Sequence, residues 1–298
     1  MKRLLALLLV LLLLTGCTPA EPVTPPESDS SVNAEPGLSV HFLDVQHADC
    51  ILLACGGEYA LVDGAYPESG DKIVSYLREQ GVEELELMVG THPHGDHIGG
   101  LPQVLDSFPT ETVWASQLPY TNDYVAAFTT AATRNGADFV QPRPGDSFRL
   151  GDATIDVIGP LNLQYEDAND LSLVLRVTYG DTRFLLTGDM EELAERELVE
   201  ADVDLKADVL KVGHHGSASS TSYRFLRAVA PTYGVISLAA YNEYGHPHNA
   251  PLSRLMDADV TIYRTDKMYD VVAFSDGQTV TFTCSNSYTE PWRPGDPR

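Results

Sequence analysis

Residues 85–97 read LELMVGTHPHGDH. A short apolar run of buried-strand character is followed at once by His92, His94, Asp96 and His97. That order constrains the fold strongly, because it puts three imidazoles and a carboxylate at the edge of a sheet. A plain polar loop has no structural use for three of the chain's nine histidines within six positions. A divalent transition metal does: it takes imidazole nitrogen and carboxylate oxygen at about 2.0–2.2 Å.

The rest of the chain repeats the style. LSVHFLD, CILLAC and YALVDG read as short strands, and ESGDKIVSYLREQG as a helix stopped by Gly81. LPQVLDSF and NDYVAAFTTAATRNG read as helices, the second capped by Asn122 or Asp123 and ended by Gly136, with TVWAS a strand between them. Further strands are expected in ATIDVIG, SLVLRVTYG, RFLLTGD and ADVLKVG, and helices in EELAERELVE and TSYRFLRAVA. Blocks of strands interrupted by helices predict sheets covered by helices on their outer faces.

Ionisable residues fall where strands end. Asp63 closes YALVDG, Asp189 closes RFLLTGD, and His214 and His215 close ADVLKVGHHGS. A tight loop can turn His92 and His94 toward one ion and Asp96 and His97 toward a second, with Asp189 bridging ions about 3.5–4 Å apart.

The ends read differently. Residues 1–16 carry Lys2 and Arg3 before an apolar run from Leu4 to Leu14. That run is short of the roughly 20 residues a membrane span needs and has the layout of a secretory signal. Its end, LTGC, resembles the lipobox of bacterial lipoproteins, which implies cleavage before Cys17 and a lipid on its thiol. A plain secretory signal or an uncleaved anchor is the alternative. Residues 17–36, rich in proline, serine and acids, predict a disordered tether, and 285–298 a loose tail. One domain is expected over 37–284. The net charge of −24 opposes unassisted binding of nucleic acid. Cys50, Cys55 and Cys284 are an odd set, and positions 50 and 55 fall on opposite faces of one strand, so free buried thiols are expected.

THPHGDHIGGL resembles the metal motif of the metallo-β-lactamase fold superfamily. FLDVQHADCILL, NDLSLVLRVTYGDTRFLLTGD, ADVLKVGHHGSASS and NEYGHPH resemble, in order, the hydrolase domain of bacterial competence-type DNA-uptake proteins. The likeness covers about residues 38–283. It implies an α/β fold, the single-domain αββα sandwich of that superfamily, with the metal site at the sheet edges. It carries metal ligation over to His92, His94, Asp96, His97, Asp189 and one of His214 and His215. Asp63 falls to supporting the metal loop. Two departures stand out. AND (168–170) offers Asn169 where many members have another histidine, so Asn169 or water would serve there. DVQHAD puts Gln46 and His47 where the branch has glycine and glutamine, and His47 is read as a surface-loop residue in preference to an extra polar group near the site. The membrane channel of the uptake proteins has no counterpart among these residues.

The implied chemistry is hydrolysis by a water held between two divalent ions, zinc first and manganese second, and ionised at neutral pH. Asp96 would hold that water and move a proton. His246, in YGHPH, would protonate a leaving group. Lys211 and Ser217 are candidates for gripping a phosphate, against a snorkelling strand residue and a helix cap respectively. His248 is expected on the surface. The expected function is an extracytoplasmic, lipid-anchored hydrolase of phosphodiesters in nucleic acid or a wall polymer. The alternatives are a non-catalytic metal-binding surface lipoprotein and a lactam or thioester hydrolase.

Overall fold

The computed structural model describes residues 36–116 and 122–286. The expected signal, the Cys17 lipid site and the tether lie outside the described residues. The chain first lays down β1 (Leu38–Phe42), β2 (Ile51–Cys55), β3 (Glu58–Val62), β4 (Leu85–Gly90), β5 (Thr110–Ala115) and β6 (Asp138–Val140). Helices α1 (Gly70–Glu79), α2 (Gly95–Ile98), α3 (Leu101–Ser107) and α4 (Asp123–Asn135) are set among them. A second sheet follows with β7 (Ser147–Leu150), β8 (Ala153–Gly159), β9 (Val174–Tyr179), β10 (Thr182–Leu186), β11 (Val209–Lys211), β12 (Tyr233–Ile236) and β13 (Thr261–Arg264). Its helices are α5 (Glu192–Glu200), α6 (Tyr223–Val229), α7 (Asn249–Asp257) and α8 (Thr265–Met268). The chain then returns to the first sheet with β14 (Val271–Ser275) and β15 (Val280–Cys284).

The strand orders are β15-β14-β1-β2-β3-β4-β5-β6 and β13-β12-β11-β10-β9-β8-β7. Three apolar layers make this an αββα sandwich. Leu38, Val40, Phe42, Ile51 and Leu53 meet Ile155, Val157, Leu175 and Phe184 between the sheets. Leu52, Leu61 and Met88 point the other way, onto Ile73, Leu77, Val104 and Phe128 of the first helical layer. Leu185, Leu210 and Ile236 likewise meet Leu198, Phe225 and Leu255 of the second. Strand alternation puts successive side chains on opposite faces, so both sheets are apolar on both sides. Cys50 and Cys55 follow that rule: both are free and buried, one in the helix-side layer and one between the sheets.

Local signals act as the sequence predicts at α4. The Asn122 side chain accepts from Val125 N at 2.9 Å, and Gly136 ends the helix at φ 87. The first two tail residues are instead tied to the domain. Ser285 N donates to Asp270 O at 3.0 Å and Asn286 N to Met268 O at 3.2 Å.

Parallel pairing positions the site. β3, β4 and β5 run parallel, as do β10, β11 and β12. Their carboxyl ends therefore open on shared edges, where loops can carry side chains toward one another. The two edges are joined directly: Leu173 N donates to Thr91 O at 2.9 Å.

Candidate metal centre

Asp189 leaves the end of β10 through Gly188, whose φ of 51 suits glycine. A Cβ at Gly188 would stand 2.9 Å from Ser172 Oγ and 3.1 Å from Thr91 Oγ1. The missing side chain lets the Asp189 turn press against the loop after β4. Ser172 Oγ accepts from Asp189 N at 3.0 Å and lies 3.4 Å from His92 Nδ1.

Four imidazoles surround one oxygen of Asp189. Its Oδ2 lies 3.3 Å from His97 Nε2, 3.6 Å from His215 Nε2, 3.7 Å from His214 Nε2 and 3.9 Å from His92 Nε2. On one side, Asp96 Oδ2 completes a compact group, 3.5 Å from His215 Nε2 and 3.9 Å from His97 Nε2. On the other, His92 Nε2 and His94 Nδ1 face each other at 3.1 Å.

His214 and His215 are the less legible part. Both sit in the left-handed region, at φ 48 and φ 51. Each such residue costs about 1–3 kcal/mol and persists only where its surroundings enforce it. The twist fans the two rings apart, with centroids 6.3 Å apart and planes at 68°, so each reaches Asp189 from its own side. The sequence offered one of them as a ligand; the geometry brings both to the carboxylate.

Supporting contacts orient each ring. Asp63 Oδ1 accepts from Thr91 N at 2.8 Å, and Oδ2 accepts from Thr91 Oγ1 at 2.8 Å and pairs with His97 Nδ1 at 2.7 Å. That fixes His97 with Nε2 toward Asp189. His214 Nδ1 pairs with Glu191 Oε1 at 3.0 Å, and Glu191 in turn accepts from Ser219 Oγ at 2.7 Å and Asn169 Nδ2 at 3.4 Å. Asn169 thus acts on the site through Glu191. His215 Nδ1 donates to Ser237 O at 2.9 Å.

Charge is concentrated here. Burial alone would raise the Asp189 carboxyl, but His97, His215 and His214 outweigh it and hold it well below the carboxylate range. Burial likewise opposes charge on His97 and His215, yet Asp189 and its neighbouring carboxylates raise both. His92 is held neutral by burial and by His97 beside it.

These residues fit a pair of divalent ions. His97 Nε2, His215 Nε2 and Asp189 Oδ1 are buried without a hydrogen-bond partner, which costs free energy unless something binds them. Atoms about 3.3–3.9 Å apart are the corners that ligands about 2.1 Å from a common centre occupy. The donors are imidazole and carboxylate, as zinc and manganese accept.

Three readings from the sequence need correction. Lys211 does not grip a substrate: it is fully buried, with Nζ 2.8 Å from Asp49 Oδ2 and donating to Val212 O. Ser217 does not line the cleft either. It is buried behind His214, with Oγ 2.9 Å from Ser219 Oγ. His47 is not a free surface histidine. Its ring lies 4.7 Å from that of His215 and 5.2 Å from those of Tyr244 and His246. His246 does reach the cleft, but burial and the adjacent His47, His214 and His215 hold its imidazole neutral, down to about 3. A neutral ring offers one N–H and one acceptor nitrogen to a substrate, and would take up a proton before passing one to a leaving group. His248 is half-buried, its Nδ1 accepting from Ala218 N at 2.9 Å.

Asp49, Glu191 and the tyrosines Tyr66, Tyr124 and Tyr244 escaped the sequence reading. The buried DVQHADC run held a signal for Asp49; the others lie in loops and helix starts with no pattern of their own.

The model of the metallo-beta-lactamase superfamily matches residues 43–240. The chain belongs to that superfamily. It is a metal-dependent hydrolase by family, similar over most of its length to competence proteins. It is 32% identical over 263 residues to competence protein ComA of Neisseria gonorrhoeae, covering 86% of this chain and 34% of that protein. It is 31% identical over 199 residues to ComE operon protein 3 of Bacillus subtilis, covering 66% and 26%. The chain thus spans about a quarter to a third of these relatives. Among solved structures, the metallo-beta-lactamase fold protein YhfI from Bacillus subtilis covers 83% of this chain and 100% of its own, at TM-score 0.53 and 12% identity, which shows the shared fold.

Asp63→Asn tests the support of the metal loop. The amide cannot receive all three hydrogen bonds, so metal affinity is expected to fall about 10–100-fold with the fold retained. Chelator competition followed by circular dichroism checks this; unchanged affinity contradicts it.

Proposed function

We propose that this protein is a membrane-anchored, extracytoplasmic hydrolase of phosphodiesters with a dinuclear metal centre. The observation that carries it is the single Asp189 oxygen ringed by four imidazole nitrogens within 4 Å. His92, His94 and His214 would hold one ion and Asp96, His97 and His215 the other, with Asp189 between them. When bound, such a pair activates water and clamps the attacking and leaving oxygens of an in-line displacement. Similarity to competence proteins supports a phosphodiester over a lactam or thioester.

The chain's own residues divide the remaining work. Asp96 lines the cleft, and its carboxylate orients the attacking water and receives its proton. Glu191 and Asp63 lock the imidazoles of His214 and His97 so that they face Asp189. His246 and His47, both held neutral, offer hydrogen-bond acceptors along the wall. The positive patch that a long polyanion would need around Lys211, Arg224 and Arg227 is missing its centre, since Lys211 is buried and Arg224 lies 3.5 Å from Glu200. A small phosphodiester suits this cleft better than duplex nucleic acid.

A substrate panel with zinc and with manganese tests the reading. Bis-(p-nitrophenyl) phosphate is expected to turn over and a chromogenic cephalosporin to stay intact, with Asp96→Ala slowing the first at least about a hundredfold. Cephalosporin turnover with every phosphodiester inert sinks the proposal. A protein that takes up metal but hydrolyses nothing returns the non-catalytic reading.

Anchoring rests on LTGC and is tested separately. Cys17→Ala is expected to leave the precursor uncleaved or to move the protein out of the membrane fraction. A variant that migrates and fractionates like the parent removes the lipid anchor.

A further inference from the structure

Outside the metal-facing groups, the walls of the cleft are aromatic. A space of about 420 Å³ is lined by Tyr66, Tyr124 and Tyr244 together with His47 and His246. Among the described residues lining it there is no lysine or arginine. Lys211 is paired with Asp49, Lys72 donates to Asp44 O, and the Arg264 guanidinium holds Asp266 at 2.7 and 2.9 Å.

The rings are held in place. A Cβ at Gly95 would stand 2.6 Å from the Tyr124 ring, so that ring rests on the metal-binding loop itself. Tyr244 stacks on His47 at 5.2 Å and 19° and on His246 at 5.6 Å and 26°, and is 54% exposed. Burial, with Asp96, Tyr244, Tyr124 and Glu243 as neighbours, pushes the Tyr66 hydroxyl up to about 12, so it remains a neutral phenol. Neutral aromatic faces beside carboxylates attract cations and repel anions.

Two opposite preferences therefore lie side by side. The metal centre draws a phosphoryl group, and the rim draws positive charge. A chain of net charge −24 adds to the second preference. Resting on the phosphodiester reading above, we propose that the cleft selects phosphodiesters carrying an ammonium group a few bonds from phosphorus, with that cation held against Tyr66, Tyr124 and Tyr244. Choline or ethanolamine esters have this chemistry, whether on a soluble polymer or on a lipid.

The test compares two esters with one leaving group. These are p-nitrophenyl phosphorylcholine and the isostere that lacks its cation, p-nitrophenyl 3,3-dimethylbutyl phosphate, each with zinc-loaded protein. The choline ester is expected to be favoured about tenfold or more in kcat/KM, mostly through KM. Tyr244→Leu and Tyr124→Leu should each bring the kcat/KM ratio of the two esters close to one, whatever they do to absolute turnover; Tyr→Phe should keep the ratio. Glycerophosphocholine and phosphatidylcholine vesicles then separate a soluble source from a lipid one. Equal turnover of the two esters overturns the proposal and leaves the phosphodiesterase reading standing. So does a preference that survives both leucine variants, or single-stranded DNA outcompeting the choline ester. If no phosphodiester turns over, both readings fall together.

Discussion

Replacing Asp189 with alanine is expected to empty both metal positions at once. Its Oδ2 lies within 4 Å of His92 and His214 in one half and of His97 and His215 in the other, so its loss opens both halves of the centre. Loss of a bound ion removes several kcal/mol of transition-state stabilisation, which is about a thousandfold or more in rate. The two histidines of the HHG turn should behave differently from Asp189 and from each other. His214→Ala should lose the ion held with His92 and His94, and His215→Ala the ion held with Asp96 and His97. Elemental analysis of the three purified variants decides this. Asp189→Ala retaining two ions, or both histidine variants retaining two, would show that the ions are held elsewhere.

Lys211→Met should be among the most destabilising single changes in the chain. Lys211 and Asp49 are both essentially inaccessible and join the end of β11 to the loop between β1 and β2 at 2.8 Å. Removing the ammonium leaves the buried Asp49 carboxylate with only His215 Nδ1, 3.5 Å away and already committed to Ser237 O, at a cost of about 3–5 kcal/mol. Replacing both, as Asp49→Leu with Lys211→Met, removes the buried charge together with its partner and should recover most of that loss. Urea titrations of the parent, the single and the double variant measure it at equal slope. A single variant as stable as the parent would mean that Asp49 finds another partner or takes up a proton without penalty.

The same lysine marks the boundary between what could be read from the chain and what could not. In ADVLKVGHHG it sits three positions before the histidines, and by type it suits a phosphate. Its direction is set by the partner strand: β11 lies between β10 and β12, and residue 211 faces inward, onto Asp49 some 160 positions earlier. Pairing across the sandwich, not local pattern, decided its role. His47 shows the same effect. It stands in a loop after β1, and the arrival of His215 and the 240–248 segment from the second half of the chain encloses it.

By contrast, the sequence alone determined the layered architecture, the helix ends at Asn122 and Gly136, the separate faces of Cys50 and Cys55, and the cluster from His92 to His97. Each depends on spacing within about a dozen residues, where periodicity, caps and loop length act directly. β6, β7 and the elements after residue 230 were not anticipated; β6 and β7 are short edge strands that lack a long alternating run. Tertiary structure alone decided that His214 and His215 both reach the same oxygen of Asp189, that Asn169 works through Glu191, and that the cleft walls carry tyrosines. Those outcomes depend on contacts between segments tens to hundreds of residues apart. Such contacts are fixed by strand register and by which loops share a sheet edge, and no local stretch of sequence encodes either.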